Sequence, residues 1–89
     1  FVDGFSIAKT GTPKELHHQT LAESAVRSRF NITIVGVKRN NMDFIYARPE
    51  TILQPEDLLI VAGSTRDVEN FAAQTALGMS TSKIPSLQN

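Results

Sequence analysis

Apolar and polar side chains alternate from Phe5 to Thr10, with Phe5, Ile7 and Lys9 set against Ser6, Ala8 and Thr10; this period of two predicts a first strand. Gly11-Thr12-Pro13 closes it, because proline has no N–H to give to a sheet ladder. The period then lengthens. Thr20 and Glu23 stand at capping-box spacing, the hydroxyl placed to accept from the backbone of Glu23 and the carboxylate to reach back to Thr20. Behind them Ala22, Val26 and Phe30, flanked by Leu21 and Ala25, make one apolar helical stripe. Asn31 follows where a helix stops, and asparagine tolerates the left-handed conformation better than most residues.

Ile32 to Val37 is β-branched and apolar at almost every position, which predicts a strand covered on both faces. Lys38-Arg39-Asn40-Asn41 is a polar turn, and Phe44-Ile45-Tyr46 the returning arm of a hairpin. Pro49 and Pro55 bracket a loop, and Asp57 precedes the apolar run Leu58 to Ala62. Ser64 and Asp67 cap a last helix whose Val68, Phe71 and Ala72 share a face. From Gly78 onward the chain is polar and aperiodic, so residues 78–89 are expected to be a flexible tail behind one domain at 1–77. The order β-α-β-β-β-α is an α+β fold, one small β-sheet with packed helices, in which the first helix permits a crossover.

Composition narrows the partners. Eighty-nine residues make one small domain with a modest core, which pairing with a second copy would extend. Nine basic and nine acidic side chains cancel, so no overall field draws a nucleic acid polymer or an anionic membrane. The absence of cysteine excludes disulfides and thiolate metal sites and agrees with a cytoplasmic protein. No apolar run approaches the ~20 residues a helix needs to span a bilayer, so direct membrane insertion is not expected. A chain opening on Phe1 rather than methionine suggests a piece of a longer protein.

The stretch from Leu21 to Arg39 joins a capped helix bearing Arg27 to an apolar strand, and Pro49 to Gly63 adds a proline-closed loop and a second apolar strand. This arrangement closely resembles the C-terminal (TrkA-C) domain of RCK proteins, the Trk- and Ktr-type subunits that gate bacterial potassium transporters and channels, and the likeness runs from about Phe5 to Phe71. The resemblance implies a cytoplasmic regulatory domain, paired as a homodimer, attached to an N-terminal Rossmann-like RCK domain and, through it, to a transporter or channel at the inner face of the plasma membrane. It also implies cyclic di-AMP as a regulatory ligand on the two-fold axis. The ligand-binding set carried over is Ala22, Val26, Arg27, Ser28, Asn31, Ile32, Thr33, Ile34 and Pro49. Two other outcomes of the same resemblance are a ligand-free structural dimerisation domain, and the same module on a sodium–proton or dicarboxylate transporter.

Taken alone, Arg27 lies four residues after Glu23 and reads as half of an exposed ion pair worth a few tenths of a kcal/mol. Its fork of donors also matches a phosphate diester bidentately; Val26-Arg27-Ser28 resembles the family's Ile/Leu-Arg-Ala, in which the arginine holds the ligand's phosphate. Ile32 and Ile34 alone would be core. Thr33 stands where the family has asparagine, and Asn31 where it has glycine. Pro49 matches a proline that closes over the ligand and, by itself, would simply stop a strand. His17 and His18 raise a metal site, but neighbouring side chains point apart and no third ligand sits at zinc spacing, so no metal is expected. Nucleophile elbow, HExxH, P-loop and GxGxxG are all missing, so neither catalysis nor a bound NAD or ATP cofactor is expected.

Overall fold

The computed structural model describes residues 4–40 and 42–75; the tail expected at 78–89 lies outside them. Four strands, β1 (Phe5–Thr10), β2 (Thr33–Lys38), β3 (Ile45–Tyr46) and β4 (Leu58–Ser64), form one sheet in the order β1-β4-β2-β3, with every neighbouring pair antiparallel. β4 slots between β1 and β2, so those two run parallel and need the crossover that the intervening helices supply. α1 (Leu21–Ser24), α2 (Val26–Phe30) and α3 (Thr65–Ala73) complete the α+β fold, with an additional 3-10 turn at Lys14–Leu16 that the sequence pattern did not signal.

The core lies on the helix side of the sheet. Ile34, Val37, Leu59 and Val61 point inward against Val26, Val68 and Phe71, and the rings of Phe30 and Phe71 meet edge to face at 5.1 Å. Both caps form as spaced: Glu23 N–H donates to Thr20 Oγ1 at 3.1 Å while Thr20 N–H donates to Glu23 Oε1 at 2.9 Å, and Asp67 N–H donates to Ser64 Oγ at 3.1 Å. Asn31 is left-handed, at φ 59°.

Three expectations need correction. The stripe at 21–30 is not one helix: Ala25 adopts φ 52°, ψ 40° and splits it into α1 and α2. Alanine is the best of helix formers, so the break is imposed from outside. Leu21 N–H donates to Thr51 C=O at 2.7 Å and Ala22 N–H to Pro49 C=O at 2.9 Å, which docks the orphan donors of the first turn onto the 49–51 segment. Ser24 is buried, donating its hydroxyl to Leu21 C=O at 2.6 Å. As a result Ala22 is exposed rather than part of a core stripe.

Second, β2 is covered on one face only. Alternation from buried Ile34 places Val35 on the outer face, and the register slip against β4 between Ile34 and Gly36 returns Val37 to the core. Val35, Ile7, Phe5 and Tyr46 all remain exposed in the single chain. The face opposite the helices is therefore an apolar surface with no cover. Third, β3 is only two residues long, and Phe44 lies outside it. Its ring packs over Gly36 and against Tyr46, with ring centres 5.4 Å apart.

That packing explains the glycine. A Cβ at position 36 would overlap the Phe44 ring and stand 2.8 Å from the Ile45 carbonyl oxygen. Gly36→Ala is expected to lower unfolding free energy by about 1–3 kcal/mol, as an overpacked site does. Urea denaturation checks it. In a Phe44→Ala background the same substitution should cost less, because the backbone contact alone remains; an undiminished cost would place the clash at Ile45.

Candidate anion-binding cleft

The break at Ala25 sets the geometry of the site. α2 starts on a new axis, and the Ala25 carbonyl accepts from both Ser28 N–H, at 3.2 Å, and Arg29 N–H, at 2.9 Å. Left-handed alanine costs of order 1–2 kcal/mol, sustained by the docking of α1 on one side and the burial of Val26 on the other. The docked 49–51 segment stands opposite. Between them lies a cleft of about 470 Å³ lined by Leu21, Ala22, Ala25, Val26, Arg27, Ser28, Thr33, Ile34, Ala47, Arg48 and Pro49.

Of the residues carried over from the resemblance, Ala22, Val26, Arg27, Ser28, Thr33, Ile34 and Pro49 are thus brought together in one cleft. Asn31 and Ile32 are not. The Asn31 side chain turns away and donates to Asp67 Oδ2 at 2.9 Å, bracing the start of α3, and Ile32 is 2% exposed in the core beneath Gly63. Leu21, Ala25, Ala47 and Arg48 line the cleft without having been anticipated. Ala47 and Arg48 adjoin Pro49, so the proline that marked this wall was the signal for them.

The electrostatics are one-sided. The lining contains two arginines, two hydroxyls and no carboxylate. Glu23, expected to pair with Arg27, is instead held in its capping box, and the Arg27 guanidinium has no hydrogen bond or ion pair among the described residues. Arg29, on the same helix, is fully engaged: it donates to Glu15 Oε2 at 2.6 Å and to the Ser24 carbonyl at 3.3 Å and lies 5.2 Å from the Phe30 ring centre. A guanidinium with no internal partner, at the mouth of an apolar cleft, is chemically suited to hold a phosphate or carboxylate by charge-assisted hydrogen bonds.

The histidines sit elsewhere. His17 Nε2 lies 3.0 Å from the Thr12 carbonyl, and His18 is left-handed at φ 71° with its N–H donating to Leu53 C=O at 2.7 Å. Among the described residues no three His, Cys, Asp or Glu side chains gather at metal-binding distance, and no helix is long and apolar enough to cross a membrane.

Fold and cleft together define a class, the small open-faced α+β sandwich with an arginine-bearing cleft beside β2. The chain belongs to the TrkA-C domain family, whose sequence profile matches residues 8–76. It is 25% identical over 69 residues to Ktr system potassium uptake protein A of Bacillus subtilis (strain 168), covering 78% of this chain and 31% of that protein. With Ktr system potassium uptake protein C of the same organism it shares 29% identity over 66 residues, 74% of this chain and 30% of that one. The chain thus spans about a third of the length of these relatives. Among solved structures it resembles the RCK domain of GsuK, with a TM-score of 0.70 and 25% identity over 83% of this chain and 17% of that one. It also resembles the RCK C domain of the potassium transport protein KtrA in complex with cyclic diadenosine monophosphate, with a TM-score of 0.67 and 26% identity over 76% of this chain and 80% of that one.

Proposed function

We propose that this domain is a regulatory ligand-binding module of a potassium transport system, and that its cleft takes a small anionic nucleotide of the cyclic di-AMP type. The observation that carries the reading is Arg27: a guanidinium without a partner among the described residues, in an acid-free and largely apolar cleft. The similar KtrA domain, in complex with cyclic di-AMP, supports the choice of ligand. Phosphate goes to Arg27, the adenine to the apolar wall of Val26, Ile34 and Pro49, and the hydroxyls of Ser28 and Thr33 supply polar contacts.

Two copies of the chain meet in this scheme. A ligand that is itself two-fold symmetric sits on a two-fold axis and presents one half to each cleft. Because it touches both chains, it favours one relative orientation, and that difference in affinity is what moves an attached transporter or channel on the cytoplasmic side. The work is binding, not catalysis. The N-terminal Rossmann-like domain that the resemblance implies would transmit the movement.

Titration of cyclic di-AMP beside linear diadenylate and AMP tests the scheme. At a ligand concentration of 100 times the dissociation constant, binding adds about 2.7 kcal/mol of stability, read as a rise of roughly 10–20 °C in melting temperature. Calorimetry should give one cyclic di-AMP per two chains, and sedimentation a dimer. A ligand bound one per chain to a monomer would sink the symmetric arrangement.

One observation favours a second reading. The apolar face carrying Ile7, Val35 and Tyr46 has no cover in the single chain, and an exposed apolar patch is suited to pairing without any ligand. A stable dimer with no nucleotide affinity would select a structural dimerisation domain.

A further inference from the structure

We propose that Arg48 is a second anion-binding residue of the cleft, and that Arg27 and Arg48 hold one phosphate group from two walls. The inference rests on the reading of the cleft as a phosphate-ester site. Arg27 comes from α2 and Arg48 from the segment that leaves β3, and the fold brings both to the lining of a single cleft that contains no carboxylate. Among the described residues, Arg48 has no partner for its guanidinium, just as Arg27 has none.

An unpaired arginine on a loose loop would be ordinary surface. Arg48 is mounted differently. Its N–H donates to Thr51 Oγ1 at 3.0 Å and its carbonyl accepts from Thr51 N–H at 3.0 Å. On one side Ala47 N–H donates to Val35 C=O at 3.1 Å, and on the other Pro49 C=O accepts from Ala22 N–H at 2.9 Å. The backbone on either side of Arg48 is therefore tied to β2 and to α1, both of which contribute residues to the cleft lining. Its side chain starts from a fixed point opposite the helix that carries Arg27.

Two like charges held in one apolar cleft repel each other, and an anion between them relieves the repulsion while gaining both attractions. Each guanidinium offers a planar fork to phosphate oxygens, so the pair engages a phosphate ester from two directions where one arginine engages it from one. An ester group with its charge on several oxygens is the ligand chemistry that suits such a clamp.

Calorimetry with cyclic di-AMP on the wild-type domain, Arg48→Ala, Arg48→Lys and Arg27→Ala, at low and high salt, tests the assignment. Arg48→Ala should bind about tenfold or more weakly, as for a lost charge-assisted contact, with Arg48→Lys in between. The affinity of Arg48→Ala should also fall less steeply with salt than that of the wild type, since one screened attraction is gone. Its unliganded melting temperature should match the wild type within about a degree, because the exposed side chain has nothing to lose. Equal binding and equal salt dependence for wild type and Arg48→Ala, with Arg27→Ala weakened, would remove Arg48 from the site and leave the cleft reading intact. A wild type that binds no cyclic di-AMP, by contrast, overturns the cleft reading and the role of Arg48 with it.

Discussion

Arg27→Ala is expected to weaken cyclic di-AMP binding by about 2–4 kcal/mol, the cost of leaving a charge-assisted contact unmade in a site closed between two subunits. The same substitution should change the stability of the unliganded domain by no more than about 1 kcal/mol, because the side chain is exposed and has no partner among the described residues. Glu23, the one acid near it in sequence, is committed to Thr20. Arg29→Ala is the control. That residue braces α2 against Glu15 and Ser24 rather than lining the cleft, so it should cost a little stability and leave affinity unchanged. Calorimetry and thermal melts on the three proteins separate these outcomes; equal affinities for wild type and Arg27→Ala would take the arginine out of the site.

The largest effect on folding is expected at Asp57. Its carboxylate is 1% exposed and accepts from Arg39 Nε at 2.9 Å and from Gln54 N–H at 2.8 Å, while its carbonyl accepts from Thr12 Oγ1 at 2.9 Å. Arg39 also donates to the Ile52 carbonyl. The carboxylate thus ties the residue after β2 and the 52–54 loop to the start of β4, while the Asp57 backbone carbonyl separately holds the 11–13 loop. Removing one member of a buried pair strands the other, and the cost for a fully enclosed pair is about 3–5 kcal/mol. The Arg39 side chain keeps 32% of its surface in water, so Asp57→Ala is expected at about 2–4 kcal/mol. Asp57→Asn retains an acceptor for Gln54 and should cost roughly half as much. Urea denaturation gives both values. A loss below about 1 kcal/mol for Asp57→Ala would mean that the pair is not a tie at all.

The two substitutions probe separate properties. In the proposed scheme Arg27 serves binding and contributes little to the fold, whereas Asp57 lies away from the cleft lining and serves the fold alone. Affinity measured on folded Asp57→Asn protein should therefore equal that of the wild type.

What could be read from the sequence were the interactions closed within a few residues of one another. The Thr20–Glu23 box, the Ser64–Asp67 cap and the left-handed Asn31 each depend on one turn of chain, and each stands as its spacing implied. The β-branched run at 32–37 and the apolar run from Leu58 announce strands for the same local reason. Likewise Arg27 and Pro49 could be picked out, because each lies in a short recognisable motif. What only the tertiary structure decided were the pairings of distant segments. No local propensity breaks a helix at alanine; the break falls where α1 is docked on the 49–51 segment and α2 turns to bury Val26. The helices all pack on one side of the sheet and leave Val35 of β2 exposed on the other, although the strand's sequence suits cover on both. Asn31 and Ile32 pass out of the cleft, to Asp67 and to the core, while Arg48 enters it and Arg39 finds Asp57. Spacing along the chain reports which side of its own element a residue occupies. Which other element lies opposite depends on how the sheet closes, and that is settled only when the core packs.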